Sequence, residues 1–271
     1  MPRNNPLGEI ELERWEQYDD LITDSLWLLG KRDNSGAHSA DYWGNFVPQI
    51  PQQAMRRFTK PGELVIDPFM GYGTTLLEAV RLGRYAIGVD LQPRCVAEVS
   101  ARVQQVMPSQ SMQVLPLQGD STRPETAAAV QEVMHAWGFA HAHLLILHPP
   151  YHDIIRFSDA PNDLSNAPSV EAFLKGFGQV VRHFAPLLAP QRFLVLAIGD
   201  KYARSEWVPL GFQTMEVVRQ HGFRLKSICV KDIHENRGKR GQHHLWRYRA
   251  LKHNFYLFKH EYIMFFEKMP P

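Results

Sequence analysis

From about residue 60 onward, short apolar runs alternate with longer stretches whose apolar positions recur at helical spacing. ELVIDPF (63–69), YAIGVD (85–90), MQVLPLQGD (112–120), HLLILH (143–148), RFLVLAIGD (192–200) and RLKSICVKDI (224–233) read as strands. The third is weakened by Pro116. TTLLEAVRLG (74–83), PRCVAEVSARVQQVM (93–107), PETAAAVQEVMHAWG (124–138), SVEAFLKGFGQVVRHFAPLL (169–188) and PLGFQTMEVVRQHG (209–222) read as helices. Strands separated by helices imply βαβ units and a doubly wound, mainly parallel sheet covered on both faces. HEYIMFFEK (260–268) follows another strand with no helix between, so it is expected to be an antiparallel insertion at the end of the sheet.

Ligands of such sheets sit beyond the carboxyl ends of the strands. That rule selects Asp67, Asp90, Asp120, His148 and Asp200, each of which ends a predicted strand. The loop DPFMGYGTT (67–75) joins the first strand to its helix, and Gly71 and Gly73 allow a tight turn and a close approach by a ligand. Asp90 follows at the offset where an acidic residue holds ribose hydroxyls in nucleotide-binding folds. Asp120 could take a hydrogen bond from an adenine amino group. The residues alone leave a plain strand-to-helix turn open. No Gly-Lys-Ser/Thr is present, which excludes a P-loop here.

Composition narrows the class without naming it. The 271 residues are 44% hydrophobic and 21% charged, ordinary for a globular chain. No apolar run approaches the roughly 20 residues of a membrane span, so no membrane partner is expected. The polar N-terminus has no h-region, and Cys95 and Cys229 have no metal-type spacing. Both fit a reducing cytoplasm. A net charge of +2 identifies no polyanion by itself.

The segment VIDPFMGYGTTLLEAVRLGRYAIGVDLQP resembles the cofactor segment of S-adenosylmethionine-dependent DNA amino-methyltransferases, which carry Asp-Pro-Phe-x-Gly-x-Gly-Thr-Thr. The preceding NFVPQIPQQAMRRFTKPGE (45–63) is similar to the part that closes over the methionine end of the cofactor in that family. The family's fourth strand ends in Asp, Asn or Ser followed by Pro-Pro-Tyr or Pro-Pro-Phe; here it ends in His148-Pro149-Pro150-Tyr151. The resemblance implies a class I methyltransferase, Rossmann-like fold over 45–271, with 1–44 as a polar and helical extension. It implies S-adenosyl-L-methionine as cofactor, with Asn45, Phe46, Asp67, Pro68, Phe69, Gly71, Gly73, Thr74, Thr75, Asp90 and Asp120 around it.

It also implies a catalytic clamp. An exocyclic amino group on adenine or cytosine is a poor nucleophile, because its lone pair is delocalised into the ring. An acceptor at position 148 and the Pro149 carbonyl would grip both amino hydrogens and localise that pair. Tyr151 would stack on the flipped base, and the two prolines would make the turn rigid. Neutral His148 has one acceptor nitrogen and protonated His148 has none, so rate is expected to fall below about pH 6.5. His148 as a mere strand cap in a slow or inactive protein is the alternative. His141, His143, His148 and His152 are close in sequence but lack zinc spacing, so no metal is expected.

Two segments suit nucleic acid. The loop 152–169 follows the clamp and carries Arg156. Residues 231–256 interleave Lys231, Arg237, Lys239, Arg240, Arg247, Arg249 and Lys252 with Trp246 and other aromatics. Basic and aromatic residues together suit phosphate contacts and base stacking; a solvated basic face is the alternative. Double-stranded DNA is the expected partner. LERWEQYDDLITDSLWLL (12–29) is an amphipathic candidate for packing or a homodimer contact. The runner-up functions are methylation of RNA base amino groups, and nucleic-acid binding on this fold without turnover.

Overall fold

The computed structural model describes residues 7–33, 35, 38, 44–106, 114–203, 206–233 and 243–270. Ten strands are found among them: β1 (Leu26–Trp27), β2 (Leu64–Asp67), β3 (Tyr85–Asp90), β4 (Val114–Gln118), β5 (Ala142–Leu147), β6 (Leu188–Ile198), β7 (Lys201–Ala203), β8 (Glu206–Val208), β9 (Phe223–Asp232) and β10 (His260–Lys268). The α-helices are α1 (Gln49–Phe58), α2 (Thr74–Arg81), α3 (Pro93–Val106), α4 (Pro124–Ala136), α5 (Val170–Phe184), α6 (Leu210–Gln220) and α7 (His243–Lys252).

Eight strands form one sheet in the order β1-β9-β10-β6-β5-β2-β3-β4, while β7 and β8 form a small hairpin. All neighbours in the large sheet are parallel except β10, which runs against both β6 and β9. The doubly wound fold expected from the alternation is therefore present. Two details differ: β10 is not outermost but is inserted between β6 and β9, with β1 added beyond them, and the connection from β9 to β10 contains a helix, α7, where none was expected. The two-residue β1 carries no periodicity that a sequence reading could detect.

Strand alternation builds a core on each face. Leu64 and Ile66 of β2, Leu145 and Leu147 of β5, and Leu194 and Leu196 of β6 face α4, α5 and α6. Val65, Leu144, Ile146 and Val195 face α1, α2 and α3 on the other side. These positions are fully or almost fully buried, and each such side chain contributes about 1.5–3 kcal/mol by leaving water. Pro116 is tolerated in β4 because β4 is an edge strand.

The N-terminal segment is fastened by charge. Arg84, 1% exposed, donates to Glu9 Oε2 at 2.5 Å and to the Thr59 carbonyl at 3.0 Å. The stretch 12–29 is not one amphipathic helix. Leu12–Gln17 is a 3-10 turn with no buried residue, and Trp15 is exposed. Trp27 inserts fully into the core, and Ile22 and Leu29 pack against it partly buried.

The loop after β2 depends on glycine at one point. Gly73 has φ 77° at the start of α2, and a Cβ there would lie 2.8 Å from Val99 Cγ1. Gly73→Ala should lower unfolding free energy by about 1–3 kcal/mol. An unchanged urea midpoint would contradict this reading of the turn.

Candidate active site

A cavity of about 1360 Å³ opens at the carboxyl ends of β2–β6. That exceeds the roughly 300–1,000 Å³ of an ordinary small-molecule site. Its wall brings together Asn45, Phe46, Gly71, Asp90 and Asp120 with His148, Pro149, Pro150 and Tyr151. Residues that sequence places in two motifs about 80 positions apart thus face one space. The reason is topological: β5 lies directly beside β2, so their ends adjoin.

The loop after β2 is organised by two carboxyls. Asp67 is fully buried beneath it; Oδ2 accepts from Thr75 Oγ1 at 2.5 Å and Oδ1 from the Phe69 N–H at 2.9 Å. Burial raises this carboxyl to about 7 against these opposing bonds. Asp67, Thr74 and Thr75 therefore lie under the loop and shape it, while Pro68, Phe69 and Gly71 reach the cavity. Asp90 accepts from the Gly71 N–H at 3.0 Å and the Gln92 N–H at 2.8 Å. Burial raises its carboxyl too, in spite of those bonds. Asp120 Oδ1 accepts from Thr122, and Oδ2 from Asn162 Nδ2 at 2.8 Å. A carboxylate has about four lone-pair sites, so Asp90 and Asp120 each keep capacity for a ligand hydroxyl or amino donor. A desolvated carboxylate at the cavity wall fits such a donor well.

The turn after β5 carries His148, Pro149, Pro150 and Tyr151. The His148 ring packs 4.7 Å from the Phe46 ring and edge-on to Tyr151. Burial lowers its pKa to about 4, with Lys231 adding to the effect and Glu261 opposing it. The fall in rate expected below about pH 6.5 is corrected accordingly: the imidazole stays neutral well below that value. His148 Nε2 lies 3.3 Å from the Tyr151 hydroxyl, which donates to Glu261 Oε2 at 2.6 Å. Glu261 Oε1 in turn pairs with Lys231 Nζ at 3.0 Å. Burial pushes the Glu261 carboxyl up, but Lys231 and the other neighbours outweigh it and leave it below its ordinary value.

Behind the turn, His152 adopts φ 53°, and its Nε2 donates to the Ala167 carbonyl at 2.9 Å. Buried Lys201 bonds His152 Nδ1 at 2.8 Å and also bonds Asp153. Asp200 accepts from the Gly211 N–H at 2.8 Å and from Trp207 Nε1 at 3.0 Å. Glu261 and Lys201 were not singled out by sequence reasoning. Neither sits in a motif; Glu261 is delivered by the pairing of β10 with β9 and β6, and Lys201 by the short β7 that follows β6.

The residues expected to meet nucleic acid divide sharply. Lys231 is 8% exposed and held by Glu261, so it is not a surface phosphate contact; this corrects the expectation for that residue. Trp246 reaches the cavity, with Arg249 over its ring at 5.2 Å. Arg247, Arg249 and Lys252 are exposed on α7. Arg156 is exposed on the loop beyond the clamp and pairs with Asp159 at 3.0 Å. Arg237, Lys239 and Arg240 lie outside the described residues. Tyr202 stacks on Phe255 at 4.5 Å, Phe258 packs on Trp207, and Tyr256 is 85% exposed, so the rim on the α7 side is aromatic.

Residues 7–101 match the model of the N6_N4_Mtase family, described as DNA methylase. The chain is 43% identical over 60 residues to the Type II methyltransferase M.MjaII of Methanocaldococcus jannaschii, covering 21% of this chain and 11% of that protein. It is 31% identical over 80 residues to the Type II methyltransferase M.XycI of Xanthomonas campestris pv. cyanopsidis, covering 30% of this chain and 25% of that protein. The chain therefore spans a quarter or less of either relative. Among solved structures, it is similar to a SAM-dependent methyltransferase from Thiobacillus denitrificans in complex with S-adenosyl-L-homocysteine. The TM-score is 0.48 and the identity 12%, covering 86% of this chain and 96% of that one.

The buried Asp67 gives a test of the loop. Its folded pKa lies above the ordinary 3.8, so its protonated form favours the fold at low pH, and that stability is lost as pH rises through about 7. Relative to Asp67→Asn, the wild-type chain should lose about 1.4 kcal/mol per pH unit across this window. Urea melts at several pH values read the difference, and parallel profiles for the two proteins would refute the raised pKa.

Proposed function

We propose methyl transfer from S-adenosyl-L-methionine to an exocyclic amino nitrogen of a flipped DNA base, adenine N6 or cytosine N4, for a chain whose residues 7–101 match the DNA methylase family model. The observation that carries this reading is the shared cavity, in which the glycine loop and Asp90 face the His148–Tyr151 turn. The cofactor would supply an electrophilic methyl group. Asp90 would hold its ribose hydroxyls, Asp120 its adenine amino group, and Asn45 and Phe46 its methionine end.

The chain's own part is placement. His148, as neutral imidazole, accepts one amino hydrogen, and the Pro149 carbonyl accepts the other. Two acceptors draw the nitrogen toward tetrahedral geometry and free its lone pair. Pro149 and Pro150 keep the two acceptors at fixed separation, since they cannot relax as ordinary residues would. Tyr151 supplies an aromatic surface for the base, and the volume beyond a small-molecule site leaves room for an extruded nucleotide. Arg247, Arg249 and Lys252, exposed on α7, and Arg156, exposed on the loop after Tyr151, suit phosphate contacts.

Labelled S-adenosylmethionine with duplex DNA, single-stranded DNA and RNA, followed by nucleoside mass spectrometry, tests the proposal and names the base. Label confined to an RNA base amino group would favour the RNA reading. Cofactor binding with no transfer would favour a binding protein without turnover. In the reacting case, Asp90→Ala should abolish cofactor binding, whereas Tyr151→Ala should keep cofactor binding and lose transfer.

The pH dependence isolates His148. Protonation removes its acceptor, and with a pKa of about 4 the neutral form persists to low pH. The ratio of wild-type to His148→Asn single-turnover rates should be flat from pH 8 to about 5, then fall through about pH 4. A ratio that already falls through pH 6.5 would contradict the burial argument.

Neutralising Arg247 and Arg249 together should weaken DNA binding uniformly across sequences and reduce the salt slope by roughly one to two units. An unchanged slope in a salt titration would remove α7 from the interface.

A further inference from the structure

We propose that Glu261 is a positioning residue which, through Tyr151, fixes His148 in the tautomer whose lone pair lies on Nδ1, the atom that accepts a hydrogen from the target amino group. The acceptor role rests on the amino-methylation reading; control of the tautomer does not.

The inference follows from counting protons. Glu261 Oε1 pairs with Lys231 Nζ at 3.0 Å, and both side chains are buried. A carboxylate paired with an ammonium has no proton to give. The Tyr151 hydroxyl, 2.6 Å from Oε2, must therefore be the donor of that bond. A phenol has one proton, so its oxygen offers His148 only lone pairs. His148 Nε2, 3.3 Å from that oxygen, must carry a hydrogen to bond it. A neutral imidazole with hydrogen on Nε2 has its acceptor on Nδ1. Among the described residues Nδ1 makes no hydrogen bond, so its lone pair is uncommitted. The depressed pKa of the imidazole agrees with a neutral ring.

The packing holds this chain in place. The Phe46 ring and the Tyr151 ring restrain the imidazole at 4.7 Å and 5.7 Å between centroids. Gly199 permits the tyrosine to reach Glu261, since a Cβ there would lie 2.9 Å from Tyr151 Cε2. A carboxylate, amide or hydroxyl at position 148 would present an oxygen acceptor without help. Imidazole can place its hydrogen on either nitrogen, and the wrong choice would aim a donor at a donor. Glu261 and Lys231 remove that choice.

In Glu261→Gln the side-chain oxygen would stay on Lys231, because an ammonium only donates. The amide NH₂ would then face Tyr151 and donate to its oxygen. That frees the phenol hydrogen for His148 Nε2 and moves the imidazole hydrogen to Nδ1.

The test is long-range ¹H–¹⁵N correlation on the full chain labelled in histidine, with the His148 signals assigned by their loss in His148→Asn. The wild-type protein should show neutral His148 with hydrogen on Nε2, and Glu261→Gln should shift it toward Nδ1–H. Methyl transfer in Glu261→Gln should fall roughly tenfold or more with cofactor binding kept. In a His148→Asp background the same substitution should cost much less, because a carboxylate has no tautomer. A wild-type Nδ1–H pattern, or a tautomer unmoved by Glu261→Gln, would overturn the proposal. Should Glu261→Gln fail to fold, Tyr151→Phe replaces it: loss of the phenol oxygen should give mixed tautomers, and a pure Nε2–H pattern there would overturn the proposal equally. A wild-type Nε2–H pattern that Glu261→Gln shifts, in a chain that methylates no nucleic acid, would remove the acceptor role while supporting the control of the tautomer by Glu261.

Discussion

Glu261 and Lys231 are cross-strand partners because β10 runs against β9. In a sheet whose other strands are parallel, that reversal brings the beginning of β10 to the edge where its neighbours end. A residue from the start of the last strand thereby reaches the same cavity as Asp90 and His148. The pair lies in a buried position where either charge alone would be costly. Each charge justifies the other, and Tyr151 satisfies the remaining carboxylate oxygen. The turn carrying His148 is thus tied across β6 to the far side of the sheet, although the chain places Tyr151 and Glu261 110 residues apart.

Buried ion pairs add little net stability once desolvation is counted, and well-packed apolar residues often do as well. The consequence here is orientation. A hydroxyl between a carboxylate and an imidazole has one proton to assign, and the carboxylate assigns it. The loop after β2 solves a related problem differently. Asp67 is buried with a hydroxyl and a backbone donor but no cation, so its carboxyl is raised to about 7. Asp90, nearer the cavity, gathers backbone N–H groups instead. Three carboxyls near one site thus have three environments, and only Glu261 has a buried cation as partner.

What could be read from the sequence follows from range. The alternation of β2, β3, β5 and β6 with α2 to α6 is local, so periodicity revealed the doubly wound sheet. The strand-end rule places Asp90, Asp120 and His148 at one edge from the sequence pattern alone. The insertion of β10 between β6 and β9 depends on pairing over long separations, and a strand pattern carries no partner. For the same reason Glu261 stayed hidden in HEYIMFFEK. The short β1, the β7–β8 hairpin and the left-handed His152 were equally out of reach, since two or three residues show no period.

The basic segment shows most clearly why composition does not locate charge. Lys231 and Lys252 belong to one cation-rich stretch of sequence, and a charge count treats them alike. Lys231 ends up in β9, its side chain opposite a glutamate and its amine withdrawn from solvent. Lys252 lies on α7, exposed, with its amine 6.0 Å from the Tyr248 ring. A strand in the interior of a sheet can keep a cation only by pairing it, whereas a helix on the rim leaves it to water and to whatever anion approaches. The two lysines therefore do different work. One is neutralised at the cavity wall by Glu261, and the other stays exposed on α7 beside Tyr248.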